Sequence, residues 1–94
     1  MWLLMVRAHM VVSGFVQGVG YRFYIIREAM AAGVNGYVKN LWSGEVEIVA
    51  EGEEWQIEIL YEKAKIGPSR SRVTKVKIIK DSSKNEFTKF EIRH

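Results

Sequence analysis

The order of hydrophobic patterns along the chain leaves few folds open. Residues 6–12 alternate between apolar and polar, which is typical of a half-buried strand, and residues 22–33 carry apolar side chains at helical spacing. The remaining predicted elements are a strand–turn–strand hairpin over 36–51, a second amphipathic helix over 53–67, and strands over 72–80 and 87–94. This order predicts an α+β fold. We expect a ferredoxin-like split βαβ sandwich (βαββαβ plus a C-terminal strand), with an antiparallel sheet and two helices on one face.

The same patterns predict which side chains form the core. In the first helix, which Gly33 is expected to end, the predicted apolar stripe is Phe23, Ile26 and Met30. In the hairpin, the side chains expected to face inward are Val46, Ile48 and Ala50, and those expected to face solvent are Glu45, Glu47 and Glu51. The second helix, ended by Gly67-Pro68, has its predicted stripe at Ile57, Leu60, Tyr61 and Ala64.

Length and composition restrict the kind of protein. The 94 residues predict a single domain over 1–94, with residues 1–5 as an apolar N-terminal extension. With no cysteine and two isolated histidines, the chain is not expected to carry disulfides or a metal site. The net charge of +3 is too small to indicate a nucleic-acid partner, and MWLLMV is too short for a signal peptide or a membrane span. We expect a cytoplasmic monomer that binds neither nucleic acid nor membrane.

Glycines are concentrated between the first strand and the first helix. The stretch SGFVQGVGYRF, residues 13–23, contains Gly14, Gly18 and Gly20 and then Arg22. Glycine lets a backbone adopt left-handed angles, and the first N–H groups of a helix lack intrahelical acceptors, so this loop could bind an anion. A guanidinium in the first helical turn is unfavourable for the helix dipole unless an anion lies nearby. The alternative is a tight crossover with no ligand.

Asn40 is the second unusual residue. The alternation of the predicted strand 36–42 places it on the same side as Val38, where an apolar residue is expected. One interpretation is that its amide caps the turn at Ser43-Gly44. The other is that the amide faces the site and holds a polar group such as a water molecule, because a buried amide without a partner is costly.

Two segments of this chain resemble the signature of the acylphosphatase family. They are GFVQGVGYR at 14–22 and GYVKNLWSGEVE at 36–47, and the similarity continues through VAEG at 49–52, Gly67-Pro68 and the terminal FEIRH. The resemblance implies the ferredoxin-like fold and hydrolysis of the carboxyl–phosphate bond of acyl phosphates, with no metal and no cofactor. The departures from the family pattern are Phe15, Tyr21, Tyr37, Lys39 and Trp42-Ser43, of which Phe15 and Trp42 are the ones that could alter substrate preference or the rim of the site.

The resemblance also implies roles for particular residues. Arg22 would bind the phosphoryl group, where a phosphate or sulfate ion would also bind, and Asn40 would orient the attacking water. The phosphate-binding loop would comprise Gln17, Gly18, Val19, Gly20, Tyr21 and Arg22. Three other readings are an RNA-binding sheet, a domain like the N-terminal part of hydrogenase-maturation carbamoyltransferases, and a fold that lost its activity. The first is disfavoured because the aromatic and glycine-rich stretch lies in a loop and not on a central strand.

Overall fold

The strands and helices follow one another in the predicted order. The computed structural model describes residues 5–94. Its elements are β1 (Met5–Phe15), α1 (Tyr21–Ala32), β2 (Asn35–Asn40), β3 (Val46–Glu53), α2 (Glu54–Ile66), β4 (Arg72–Ser82) and β5 (Phe90–Arg93). Met5 pairs with Glu53 as part of β1, whereas residues 1–4 of the predicted extension lie outside the described residues. No helix in the described range is long and apolar enough to cross a membrane.

The five strands form a mixed sheet in the order β4-β1-β3-β2-β5. The pairs β1–β4, β1–β3 and β2–β3 are antiparallel, as expected, but β2 and β5 are parallel, so the prediction of an antiparallel sheet is wrong at this edge. The reason is the path of residues 83–89, which cross the end of the sheet where β1 and β2 begin. Ser83 N donates to Met5 O at 3.1 Å, and Gly36 N donates to Lys89 O at 2.9 Å. The chain therefore enters β5 from the end at which β2 starts.

The hydrophobic core lies between one face of the sheet and the two helices. It includes the inward residues predicted for the hairpin, and α2 buries the predicted Ile57, Leu60 and Ala64, with Tyr61 half-buried at its margin. From β1 the core takes Ala8, Met10 and Val12. Both helices pack on this face, as the ferredoxin-like fold requires.

The predicted stripe of α1 is wrong at two of its three residues, whereas the third, Ile26, is partly buried against the core. Phe23 and Met30 are 69% and 68% exposed, and the buried residues of the helix are instead Tyr21, Ile25, Ala29 and Ala32. Because Ile25 and Ile26 are adjacent and apolar residues occur on both sides of this helix, periodicity alone does not select the buried face. The small side chains of Ala29 and Ala32 face the core, where they allow α1 to approach its neighbours closely.

Glu51 was expected on the solvent face of β3 but is only 5% exposed. The segment that follows β4 covers it. Its carboxylate accepts hydrogen bonds from Lys84 N at 2.7 Å and Glu86 N at 3.1 Å, and from Arg7 Nη1 at 3.3 Å. Burial raises the pKa of Glu51, but these donors outweigh burial and hold the pKa below its ordinary value. A buried carboxylate thus anchors the connection that leads to β5.

Glu51→Gln should lower the free energy of unfolding at pH 7 by about 2 kcal/mol, because an amide NH₂ would face donors that need an acceptor. Since folding depresses the pKa of Glu51, its contribution is present above the ordinary carboxyl pKa and is lost as the pH falls through the folded-state value. Urea denaturation should therefore show that the free energies of unfolding of the variant and the wild type differ at pH 7 and become nearly equal at pH 3.

The matched control is Glu86→Gln. Glu86 also pairs with Arg7, at 3.1 Å, but its side chain is 49% exposed, so we expect a loss of about 1 kcal/mol or less. A difference between Glu51→Gln and wild type that stayed constant from pH 7 to pH 3 would contradict the role of the carboxylate.

Candidate active site

The loop between β1 and α1 is held by apolar anchors and by one amide side chain. Val16 and Val19 are buried at 1% and 9% exposure. Between them, Gln17 Nε2 donates hydrogen bonds to the carbonyl oxygens of Leu41 and Glu45, both at 2.8 Å. Those two carbonyls flank the turn between β2 and β3. The loop is therefore fastened to the end of β2, although the two segments are distant in sequence.

The three glycines of this stretch have different reasons to be glycine. Gly14 has φ +121°, and a Cβ there would lie 2.0 Å from Arg72 O, so this position is required by the close approach of β1 and β4 at a bulge. Gly18 and Gly20 have φ +74° and +78°, and a Cβ at either would meet open space. The left-handed backbone alone accounts for glycine at these two positions. Both border a cavity.

The N-terminus of α1 opens toward the same place. Gly20 is the N-cap in the left-handed conformation, without a side-chain cap, and the first turn carries no acidic residue. The hydrogen bonds found among residues 5–94 include none donated by the backbone N–H groups of residues 18–22. These donors and the positive end of the helix dipole make the local field attractive to an anion.

Arg22 is the cation of this site. It lies in the first turn of α1 and is half-buried. Within the described part of the chain its guanidinium makes no salt bridge with a carboxylate. A planar guanidinium can donate two parallel hydrogen bonds to phosphate oxygens, and here no acidic side chain competes for them.

Asn40 is the last residue of β2, and its side chain faces the helix side of the sheet, as predicted from Val38. The interpretation that it caps the following turn is wrong, because the turn is closed by Leu41 N donating to Glu45 O at 2.8 Å and Gly44 N donating to Leu41 O at 3.1 Å. The Oδ1 atom of Asn40 is buried and has no hydrogen-bond partner among residues 5–94. An unpaired buried amide oxygen is unfavourable, which points to a polar group that it binds during function.

Two adjoining cavities meet at Arg22 and Asn40. The smaller, which we call the inner cavity, has a volume of about 200 Å³ and is lined by Val16, Gly18, Gly20, Tyr21, Arg22, Phe23 and Asn40. The larger, which we call the outer cleft, has a volume of about 480 Å³ and is lined by Gln17, Arg22, Lys39, Asn40, Leu41, Trp42, Arg93 and His94. The two residues singled out in the sequence therefore lie at the junction of a small and a larger compartment.

The other residues of the predicted phosphate-binding loop differ in whether they line a cavity or bury their side chains in the core. Gly18 and Gly20 line the inner cavity, whereas Gln17 lines the outer cleft while its side chain bridges to the β2–β3 turn. Val19 and Tyr21 bury their side chains in the core, so only their backbone could serve a ligand.

Several lining residues were not predicted as site residues. In the sequence, Lys39 is only a departure from the family pattern, Trp42 is a departure connected with the rim of the site, and Arg93 and His94 are only part of the terminal FEIRH. Arg93 reaches the cleft because β5 pairs in parallel with β2, which the hydrophobic pattern does not reveal. Phe15 is 60% exposed and lines neither cavity. In the described range, no three His, Cys, Asp or Glu side chains are grouped as a metal site would require.

The fold and the cleft together define a class: a small ferredoxin-like α+β protein whose first β–α loop meets the end of β2. The family model for acylphosphatase matches residues 8–92. An acylphosphatase from Chlorobaculum tepidum is 44% identical over 84 residues, which are 86% of this chain and 91% of that relative. The chain belongs to the acylphosphatase family, and it is a hydrolase that acts on acyl phosphates.

Solved structures show the same similarity. The crystal structure of acylphosphatase from Bacillus subtilis superposes with a TM-score of 0.92 at 35% identity, covering 95% of this chain and 99% of that one. Full-length HypF in its phosphate- and nucleotide-bound form also matches, with a TM-score of 0.90 and 29% identity. The match covers all of this chain but only 12% of HypF. The fold thus occurs both as a small acylphosphatase and as one part of a much longer protein.

Tyr21→Phe should lower the free energy of unfolding by about 1 kcal/mol. The Tyr21 hydroxyl donates to Ala64 O at 2.7 Å and is buried, so its loss leaves a carbonyl at the C-terminal end of α2 without this donor. Burial, and secondarily Tyr24, raises the pKa of Tyr21, so the phenol stays protonated and keeps this bond at ordinary pH. The matched control is Tyr24→Phe, whose more exposed hydroxyl donates to Lys63 O at 2.7 Å. Chemical denaturation that showed no loss for Tyr21→Phe would contradict this assignment.

Proposed function

We propose that the inner cavity binds the phosphoryl group of an acyl phosphate and that Asn40 orients the water that attacks it. The phosphoryl oxygens would be held by the Arg22 guanidinium and by the backbone amides of residues 17–22. The observation that carries the proposal is the buried Asn40 Oδ1, which has no partner among residues 5–94 and lines the same cavity as Arg22, Gly18 and Gly20. An acceptor in that position can receive a hydrogen bond from a water molecule poised beside the phosphorus atom.

The reaction needs little more than these groups. Water oxygen forms a bond to phosphorus while the bond from phosphorus to the acyl oxygen breaks, which gives a carboxylate and inorganic phosphate. A carboxylate leaving group has a pKa of roughly 4, so it departs without protonation and no general acid is required. Phosphoryl transfer passes through a loose transition state, for which positioning and charge stabilisation supply most of the catalysis.

Arg22 and the loop amides supply the charge stabilisation. The equatorial phosphoryl oxygens carry the charge that is spread in the transition state, and donors fixed in advance stabilise it without rearrangement. The left-handed angles of Gly18 and Gly20 shape the backbone whose N–H groups would contact those oxygens. The amide of Asn40 is not basic enough to accept the proton of the attacking water at neutral pH, so we assign that proton to an oxygen of the substrate itself, in a mechanism without a metal ion.

Arg22→Ala should lower kcat/KM for benzoyl phosphate by ~10²–10³-fold, and Arg22→Lys should restore little of it because an ammonium cannot donate in a bidentate fork. The matched control is Arg27→Ala, which removes an exposed arginine from the same helix and should leave hydrolysis unchanged. Inorganic phosphate should inhibit the wild type competitively and fail to bind Arg22→Ala in calorimetry. Retention of phosphate binding by Arg22→Ala would overturn its role.

Asn40→Ala should lower kcat by ~10²-fold or more and change phosphate affinity little, because the amide acts on the water and not on the phosphoryl group. Asn35→Ala, at the opposite end of β2, is the matched control and should leave the kinetics unchanged. A rise in KM with unaltered kcat would show that Asn40 binds substrate and does not orient water. The assays should be run with a chelator present, since loss of wild-type turnover under those conditions would refute the metal-free mechanism.

A further inference from the structure

The outer cleft contains two cationic side chains that the proposed mechanism does not use. Lys39 and Arg93 both line it, and they are directly paired across the parallel strands β2 and β5. Neighbouring strands are about 4.8 Å apart, and residues in register point to the same face of a sheet. The two cations therefore stand side by side on the face of the sheet opposite to the one that Asn40 faces, and both line the outer cleft at the edge of the sheet.

Arg93 is held in place by neighbouring side chains. Its guanidinium carbon lies 4.2 Å from the centroid of the Tyr37 ring and 5.6 Å from that of Phe87. Its Nε donates to Glu91 Oε2 at 3.3 Å, which occupies one edge of the guanidinium. Stacking restricts the orientation of an arginine while its terminal nitrogens stay free to donate to an anion.

Lys39 makes no salt bridge with a carboxylate among residues 5–94. On β3, the other strand that pairs with β2, the residue in register with Lys39 is Glu47. Both oxygens of Glu47 are already engaged, Oε2 with His9 Nε2 at 2.8 Å and Oε1 with the Tyr37 hydroxyl at 3.1 Å. No Asp or Glu lines the outer cleft in the described chain. The lining of the cleft therefore carries cations and no carboxylate, and in the described range the one acidic partner of these cations is Glu91, which forms an ion pair with Arg93 from outside the lining.

We propose that Lys39 and Arg93 determine substrate specificity by binding a carboxylate on the acyl group of the substrate. This inference rests on the proposed function, in which the phosphoryl group occupies the inner cavity. Because the two compartments share Arg22 and Asn40, an acyl group attached to that phosphoryl group extends into the outer cleft. Leu41 and Trp42 provide apolar surface for its methylene groups, and the volume of about 480 Å³ accommodates a short dicarboxylic acyl chain.

The test compares two substrates of nearly the same size. Succinyl phosphate carries a free carboxylate, whereas its methyl ester carries none. Each partly exposed ion pair changes affinity by a factor of roughly 1.4 to 5. With two cations we expect wild-type kcat/KM to be about tenfold higher for succinyl phosphate, mainly through KM. The ratio of the two kcat/KM values should fall toward one as the ionic strength rises, since salt screens exposed charges.

Substitution should remove the preference in a charge-dependent way. Lys39→Met and Arg93→Met should each lower the ratio of the two kcat/KM values about threefold, and the double variant should bring it close to one. Lys39→Arg and Arg93→Lys should retain most of it, which separates charge from packing. Lys77→Met is the matched control, because Lys77 lies in the same row of the sheet but on β4, three strand spacings or about 14 Å away. It should leave the ratio unchanged.

The outcomes separate this inference from the proposed function. Hydrolysis of both substrates without a preference, or a preference that survives in the double variant, would overturn the specificity role while leaving the hydrolytic mechanism intact. A wild type that hydrolyses neither of them, nor benzoyl phosphate, would refute the proposed function itself. An equal loss of preference in Lys77→Met would show that net charge, and not the outer cleft, attracts the carboxylate.

Discussion

The attachment of the β1–α1 loop to the end of β2 is the interaction on which the rest of the site depends. Two hydrogen bonds from Gln17 to the carbonyls of Leu41 and Glu45 make this attachment, and buried valines anchor the loop on either side. It brings the N-terminus of α1, with Arg22, beside Asn40. Without this attachment, the unbonded N–H groups of the loop and the Arg22 guanidinium would lie on one segment of the chain, and the unpaired Oδ1 atom of Asn40 would lie apart from them on another.

The other face of the sheet contributes through the segment that follows β4. This segment is fixed by the buried carboxylate of Glu51, which accepts hydrogen bonds from two backbone amides of the segment and from the Arg7 side chain. Its path carries the chain to the far edge of the sheet, where β5 pairs in parallel with β2. That pairing puts Arg93 beside Lys39 and makes the outer cleft cationic. A buried charge with a structural role thus helps to shape a surface that we assign to substrate selection.

Much of the architecture could be predicted from local patterns. The alternation along β1, the inward residues of β3, the apolar stripe of α2 and the glycines that end both helices correspond to the structure closely. The buried face of α1 could not be predicted, because Phe23 and Met30 are apolar yet exposed, and alanines take the core positions. Among the site residues, Arg22 and Asn40 stand out in the sequence because each is unusual where it lies. Arg22 is a cation in the first turn of a helix, and Asn40 is an amide at a strand position where an apolar residue is expected. Lys39 and Arg93 do not stand out in the sequence, because charged residues are common on the exposed face of a strand and do not by themselves indicate a site.

The sequence by itself determined the order of the elements, the positions that demand glycine, and membership of the acylphosphatase family through two long motifs. These follow from periodicity, from backbone stereochemistry and from residue identity, all of which are local properties of the chain. Only the tertiary structure decided that β5 runs parallel to β2, that Glu51 is buried and that two compartments meet at Arg22 and Asn40. Each of these depends on contacts between segments far apart in the chain, whose energies no local pattern records.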